Sequence, residues 1–307
     1  MTFDVAGVTV SPLVPFAWAL FVGLVFSTIG AAGGILAAVG HITVLGVADA
    51  NVVKPMSQLL VVVSPLVSVP AYWRQRRLVI AVALLIGGGA VAGSLLGSWY
   101  STRYLGSMRD YRVAFGVLTL LIALRLWYES TARFRARNAR LRETAKAFER
   151  TRAGAPGGAR AETRWRFPGL DVVLAGHVFP CNVASLVLTG GVVAFVSAAL
   201  GVGGGFLLVP YLTSWLGLPM FVVAGTSALA VLVAALVSVG NYLYLGVRVD
   251  WLLAAVEVAG VVLGSLLGPW VSRYMREGWL RLALALVLAY IGVAYTLPGG
   301  LGWWLGV

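Results

Sequence analysis

The sequence predicts an all-α polytopic membrane protein made of two homologous repeats joined by a basic loop. Three observations carry this. Long runs such as Leu78–Tyr100, Gly116–Leu124 and Leu282–Leu297 hold no charged residue. Twelve of the 23 basic residues fall in one stretch, Arg125–Arg166. An ordered series of local matches recurs between the halves at an offset of 170 or 171 residues.

Charged residues make up 11% of the 307-residue chain, against about 25% in a soluble protein, and mean hydropathy is +0.92. A spanning helix needs about 20 apolar residues, and these runs supply several. They are continuous rather than alternating, which excludes an outer-membrane barrel. The one cysteine, Cys181, excludes an internal disulfide and a cysteine metal cluster. Asp4 and the lack of a basic leader argue against a cleavable signal peptide.

Residues from about Pro12 to Val47 form an apolar stretch too long for one ordinary span, interrupted at Gly30-Ala-Ala-Gly-Gly34. Spans are expected at Val52–Trp73, Leu78–Ser101 and Tyr111–Trp127, completing a first repeat over 10–128. The segment 129–170 reads as a basic cytoplasmic helix and linker. Tyr128–Arg152 lacks Gly and Pro and repeats Phe134, Leu141 and Phe148 every seven residues, and Gly154-Ala-Pro-Gly-Gly158 ends it. The second repeat, 171–298, has an apolar stretch from Val183 to Leu216 broken at Gly201-Val-Gly-Gly-Gly205. Spans at Phe221–Tyr244, Trp251–Ser272 and Trp279–Leu297 follow, and Trp303 and Trp304 read as interfacial anchors.

The repeat is read from paired segments. Gly30–Leu36 matches Gly201–Leu207, Ser57 matches Ser227, and Val67-Ser-Val matches Val237-Ser-Val. Gly93-Ser-Leu-Leu-Gly97 matches Gly264-Ser-Leu-Leu-Gly268, with Trp99 and Trp270 after them. If each broken stretch is a hairpin returning to its own side, each half has three further spans and the repeats are inverted. Basic residues then divide 18 to 5 across the membrane, against 16 to 7 if each stretch crosses once. Both obey the positive-inside rule and put the central loop in the cytoplasm; the hairpin arrangement obeys it better. The expected location is the cell membrane.

The run Gly201-Val-Gly-Gly-Gly-Phe-Leu-Leu-Val-Pro-Tyr-Leu212, with Ala224-Gly-Thr-Ser-Ala228, resembles the signature of the TauE/SafE sulfite exporter family of the toluene-sulfonate uptake permease group. Gly30–Leu36 is similar to that family's first, degenerate copy. It has Ala31-Ala32 where the second has Val202-Gly203, and it lacks the closing proline. The resemblance implies a secondary transporter of sulfur-containing anions such as sulfite, sulfonates or sulfoacetate, with no cofactor and no enzymatic activity.

The residues point the same way. Broken helices near the midplane are where secondary transporters hold their substrates, and glycine lets backbone N–H groups approach an oxyanion. Gly33, Gly34, Gly203, Gly204 and Gly205 are the candidate backbone donors. Ser57, Ser64 and Ser68 share one helical face, as do Ser227, Ser238 and Asn241. Gln58, Thr226 and Tyr242 flank them. The substrate-binding set read from the sequence is therefore Gly33, Gly34, Ser57, Gln58, Gly203, Gly204, Gly205, Thr226, Ser227 and Asn241. Glu257, a carboxylate within a span, is the proton-coupling candidate, with a partnership to Arg248 as the alternative.

His41 and His177 lie near expected segment ends and read as interfacial, and Lys54 as a lysine that reaches the headgroups or draws anions to the path. The glycine rows 89, 93, 97 and 260, 264, 268 are packing faces where repeats meet, or protomers of a homodimer. The net charge of +12 is expected to meet anionic lipid at the central loop, not nucleic acid. Two rivals stand beside the transporter. An anion channel would use the same uncharged donors. A sulfur-relay protein would use Cys181, which no His, Asp or Glu cluster accompanies.

Overall fold

The computed structural model describes residues 1–29, 33–131, 162–166, 168–174, 176–271 and 277–297. The expected basic helix and its glycine linker, residues Gly30–Ala32, the Arg273–Arg276 segment and the tail with Trp303 and Trp304 lie outside them. A small hairpin, β1 (Thr2–Phe3) and β2 (Val8–Thr9), precedes α1 (Leu13–Ile29). Next come α2 (Gly33–Val39) with a wide π turn (Gly40–Val44), then α3 (Ala50–Arg74), α4 (Ile80–Tyr104) and α5 (Met108–Ser130). Strands β3 (Glu162–Arg166), β4 (Gly169–Leu174) and β5 (His177–Asn182) form an antiparallel sheet in that order. The second half repeats the first: α6 (Val183–Leu200), α7 (Gly205–Pro210), a π turn (Tyr211–Trp215), α8 (Met220–Tyr244), α9 (Trp251–Val271) and α10 (Glu277–Thr296).

The chain is a polytopic helical membrane protein. Among the described residues five helices, α3, α4, α5, α6 and α8, are long and apolar enough to cross a bilayer, and shorter apolar helices stand beside them. Polar caps close several ends: Asp49 accepts from the Asn51 N–H, Ser107 from Asp110, Asn182 from Ser185, and Asp250 from Leu253. The three-stranded sheet was not legible in the sequence, where this stretch read as the end of the linker and the start of the second repeat. Leu170, Val172 and Leu174 alternate inward along β4 and join one apolar cluster with Val79, Leu212 and Val222. The sheet therefore caps one end of the second half, as Phe3 and Val8 cap the first.

Both broken stretches fold back. The Trp18 indole donates to the Leu36 carbonyl at 3.0 Å. Any Cβ on Gly33 would strike Phe26, and one on Gly40 would strike Trp18. Residues 33–40 thus run back along α1. In the second half the Ser185 and Tyr211 hydroxyls meet at 2.7 Å, so the chain after α7 returns along α6.

The halves interlock through their glycine rows. Gly89, Gly93 and Gly97 of α4 leave no room for a Cβ beside the carbonyls of Val187, Gly191 and Phe195 on α6. Gly260 and Gly264 of α9 do the same at Phe16 and Leu20 of α1. The rows are contacts between the halves, and residue numbers rise together along each pair, so α4 runs parallel to α6 and α9 to α1.

Candidate transport site

The two hairpin tips meet. A Cβ on Gly34 would fall on the Val202 carbonyl and the Val61 side chain. The second tip is broken by Gly201 and Gly203, whose φ angles of 70° and 72° suit glycine alone. A Cβ on Gly203 would also lie 2.9 Å from Val61 Cγ1, and one on Gly204 2.9 Å from Val193 Cγ1. Gly204 itself has φ −84° and starts α7, with Gly205 as the first helical residue. The positive-φ requirement thus belongs to Gly201 and Gly203. These tip residues, with Gly33 and Gly34, are buried.

Gln58 reaches this region from α3. It is 1% exposed, and its Nε2 donates to the Ser197 carbonyl at 2.7 Å, with the Ser197 hydroxyl at 3.4 Å. That carbonyl fixes the amide orientation, since only the NH₂ end can face it. Gln58 Oε1 is left buried with no hydrogen-bond partner among the described residues, an unmet acceptor beside the tip.

The other named residues are dispersed. Thr226 accepts from the Val79 N–H at 3.1 Å and donates to Val222, joining α8 to the start of α4. Asn241 donates to Leu95 and to Ser98 Oγ at 2.6 Å, bracing α8 on α4. Ser227 is buried, and among the described residues its hydroxyl makes only a 3.3 Å bond to Ala224 of its own helix. Ser238 Oγ is buried without a partner among the described residues. The Tyr242 hydroxyl donates to Ala198.

Ser57 belongs to a different group. Its hydroxyl donates to the Val53 carbonyl at 2.8 Å and lies 3.0 Å from His41 Nδ1. His41 Nε2 in turn lies 3.0 Å from the Glu257 carboxyl oxygens. All three side chains are at most 2% exposed. The interfacial reading of His41 is thus corrected: residues 33–40, returning along α1, carry it inward to α9 of the other half. Its apolar neighbours, Gly34–Gly40 and Ile42–Val47 with Thr43 the one exception, were the available signal. Glu257 is paired with His41, so the alternative partnership with Arg248 falls away. His177, on β5, is exposed.

Lys54 is also corrected. It is fully buried rather than at the headgroups. Its ammonium donates to Asn51, to the Ser101 carbonyl at 3.2 Å and to the Leu105 carbonyl at 2.6 Å, above the Tyr111 ring. It thereby holds the last turn of α4, where a helix dipole favours a cation. Cys181 is buried on β5, and its thiol is pushed up to about 11 by burial and the Asp171 carboxylate. A buried thiol held neutral at physiological pH is a poor nucleophile, which counts against a sulfur relay. No group of three or more potential metal ligands occurs among the described residues.

The sulfite exporter TauE/SafE profile matches residues 15–295, hairpins and glycine rows included. The chain belongs to this family. It is also 24% identical over 289 residues to "Probable membrane transporter protein YunE" of Bacillus subtilis (strain 168), covering 91% of this chain and 95% of that one. No solved structure matches significantly. The TauE/SafE chain is therefore a multi-pass transporter of the cell membrane, not an enzyme, and its substrate is a small molecule.

Proposed function

We propose that this TauE/SafE protein is a secondary transporter of small sulfur-containing anions such as sulfite, sulfonates or sulfoacetate, held where the two hairpin tips meet. The contact of Gly34 with Val202 is the observation that carries the reading. It brings both broken helices to one buried place, where unpaired backbone donors suit an oxyanion. Gly33, Gly34 and Gly203–Gly205 supply backbone N–H groups. Ser227 supplies a hydroxyl held only by a long bond, and Gln58 orders the tip. A cavity of about 330 Å³ lined by Trp73, Arg74, Arg76, Leu78 and Ile80 lies at the α3–α4 turn. Its two arginines raise the local anion concentration at the cytoplasmic mouth.

The repeats are read as inverted. Because the first hairpin returns, α3 starts on the side where α1 starts, so α4 runs opposite to α1. Since α6 is parallel to α4, the equivalent helices α1 and α6 run oppositely. Positive-inside orientation then places the Arg74–Arg77 turn and the central loop in the cytoplasm, with anionic lipid as the partner of that loop.

The test is flux into liposomes of sulfite, sulfate, thiosulfate, sulfoacetate and taurine, with electrical recording in parallel. Saturable flux of one or more of the anions at carrier rates is expected. Currents far above carrier rates would make the protein a channel, and no flux of any of them would overturn the substrate class.

A further inference from the structure

The buried His41–Ser57–Glu257 chain joins a hairpin of the first half to a helix of the second, and nothing in tip packing requires it. Its hydrogen bonds constrain its protons. If the Ser57 O–H donates to Val53, Ser57 can only accept from His41, so Nδ1 carries a proton. One further proton then lies between Nε2 and Glu257, giving either imidazole with carboxylic acid or imidazolium with carboxylate. In both forms the site is neutral overall. If that proton leaves, the Nδ1 proton must shift to Nε2 to face the carboxylate, and the Ser57 O–H must swing from Val53 to Nδ1. The site then carries one net negative charge inside the bundle, which is costly there.

The surrounding elements offer little to offset that charge. Helices α1 and α2 contain no titratable or charged residue. On α3 the nearest is Lys54, already bound to Asn51, Ser101 and Leu105. On α9 the other acid is Asp250 at the cap, tied to the N–H groups of Val5, Ala6 and Leu253. From α5 come Tyr111, under Lys54, and Arg112, over the Tyr295 ring. From α10 comes Tyr295, whose hydroxyl bonds Thr43.

We propose that His41, Ser57 and Glu257 form a proton-binding site that holds one exchangeable proton and sets the anion affinity of the tips. Ser57 is one helical turn, about 6 Å along the axis, from Val61, the residue both tips touch. A negative charge on Glu257, two hydrogen bonds beyond Ser57, repels an anion at the tips; a neutral site does not. By linkage, anion and proton favour each other's binding, so both move in the same direction. The inference rests on the anion reading above only for this last step.

Two measurements on the full chain in nanodiscs separate the parts. The protein has two histidines, so His177→Gln leaves His41 as the sole imidazole for ¹⁵N NMR. The expected result is a pH-dependent change in which ring nitrogen is protonated, altered by Glu257→Gln and by Ser57→Ala. An unchanging His41 pattern over the pH range of the folded protein overturns the proton site. The second measurement is affinity for methanesulfonate, whose own charge is constant with pH. It should fall about tenfold as pH rises through the site's titration, and Glu257→Gln should hold it at the low-pH value. If Glu257→Gln does not fold, Glu257→Met is read instead, since it too removes the carboxylate, and the pH response should vanish there as well. A wild-type pH response that persists in the variant overturns the coupling. If wild type binds no methanesulfonate and moves no sulfur anion, the substrate reading fails, while the NMR result still decides the proton site.

Discussion

The two hairpins share a backbone and differ in chemistry. Each ends in a five-residue π turn, and the second residue of each, His41 or Leu212, accepts the same closing bond, from Val47 or Leu218. Ser57 has its counterpart in Ser227. By the repeat offset, Glu257 of α9 corresponds to Ile86 of α4. The first hairpin thus meets the other half through His41, Ser57 and Glu257. In the second, the equivalent residues Leu212 and Ile86 are both fully buried in one apolar cluster. Apolar packing evidently suffices to hold a hairpin against the partner half. The charged version therefore asks for a reason other than stability, since a buried ion pair is weak evidence of stabilisation.

The largest expected effect comes from breaking what the hairpins have in common. Gly34→Val and Gly203→Val force a branched side chain into the tip contact, the second also at a positive φ. Overpacking and strain together should cost several kcal/mol, from about 1–3 kcal/mol for each, and abolish transport. Normal flux in folded protein would show that the tips are not the path.

Next comes an exchange between the hairpins. Ile86→Glu alone buries an unpaired acid, and thermal unfolding should show a loss of about 3–5 kcal/mol. Adding Leu212→His should restore about 0.5–3 kcal/mol of it by rebuilding the pair. An additive double variant would mean the second hairpin cannot adopt the geometry of the first.

The paired serines give a smaller, sharper contrast. Ser57→Ala should cost stability by about 1 kcal/mol through the lost bonds to His41 and Val53. Ser227→Ala should leave stability nearly unchanged and weaken anion binding by about 1.5–3 kcal/mol, the worth of one charge-assisted bond. Titration calorimetry and unfolding read the two effects, and equal behaviour of the two serines would dissolve the distinction. Smallest of all, Cys181→Ser should leave flux unchanged. With the thiol pushed up to about 11, labelling of Cys181 should be slow at neutral pH and accelerate as pH rises toward that value, because only the thiolate reacts.

Composition and repetition determined much of this protein without coordinates. Charge-free runs dictate helices, because a bilayer leaves unpaired backbone groups no alternative. The constant offset pointed to a duplication, and the motif at Gly201–Leu212 to its family. The glycine rows were legible as packing faces, since a missing Cβ matters only where another backbone comes close. The tertiary structure decided the rest. Residues 41, 57 and 257 sit in three separate segments, and no local pattern announces that the return of residues 33–40 along α1 will bring them together. His41 read as interfacial because segment ends are ordinarily wet, and the hairpin makes this one dry. Lys54 misled for the same reason: its charge suggests exposure, yet the carbonyls at the end of α4 take the place of water. Sequence period reports which face of a helix is apolar. Which polar group on that face finds which partner is a long-range choice, made only when the halves interlock.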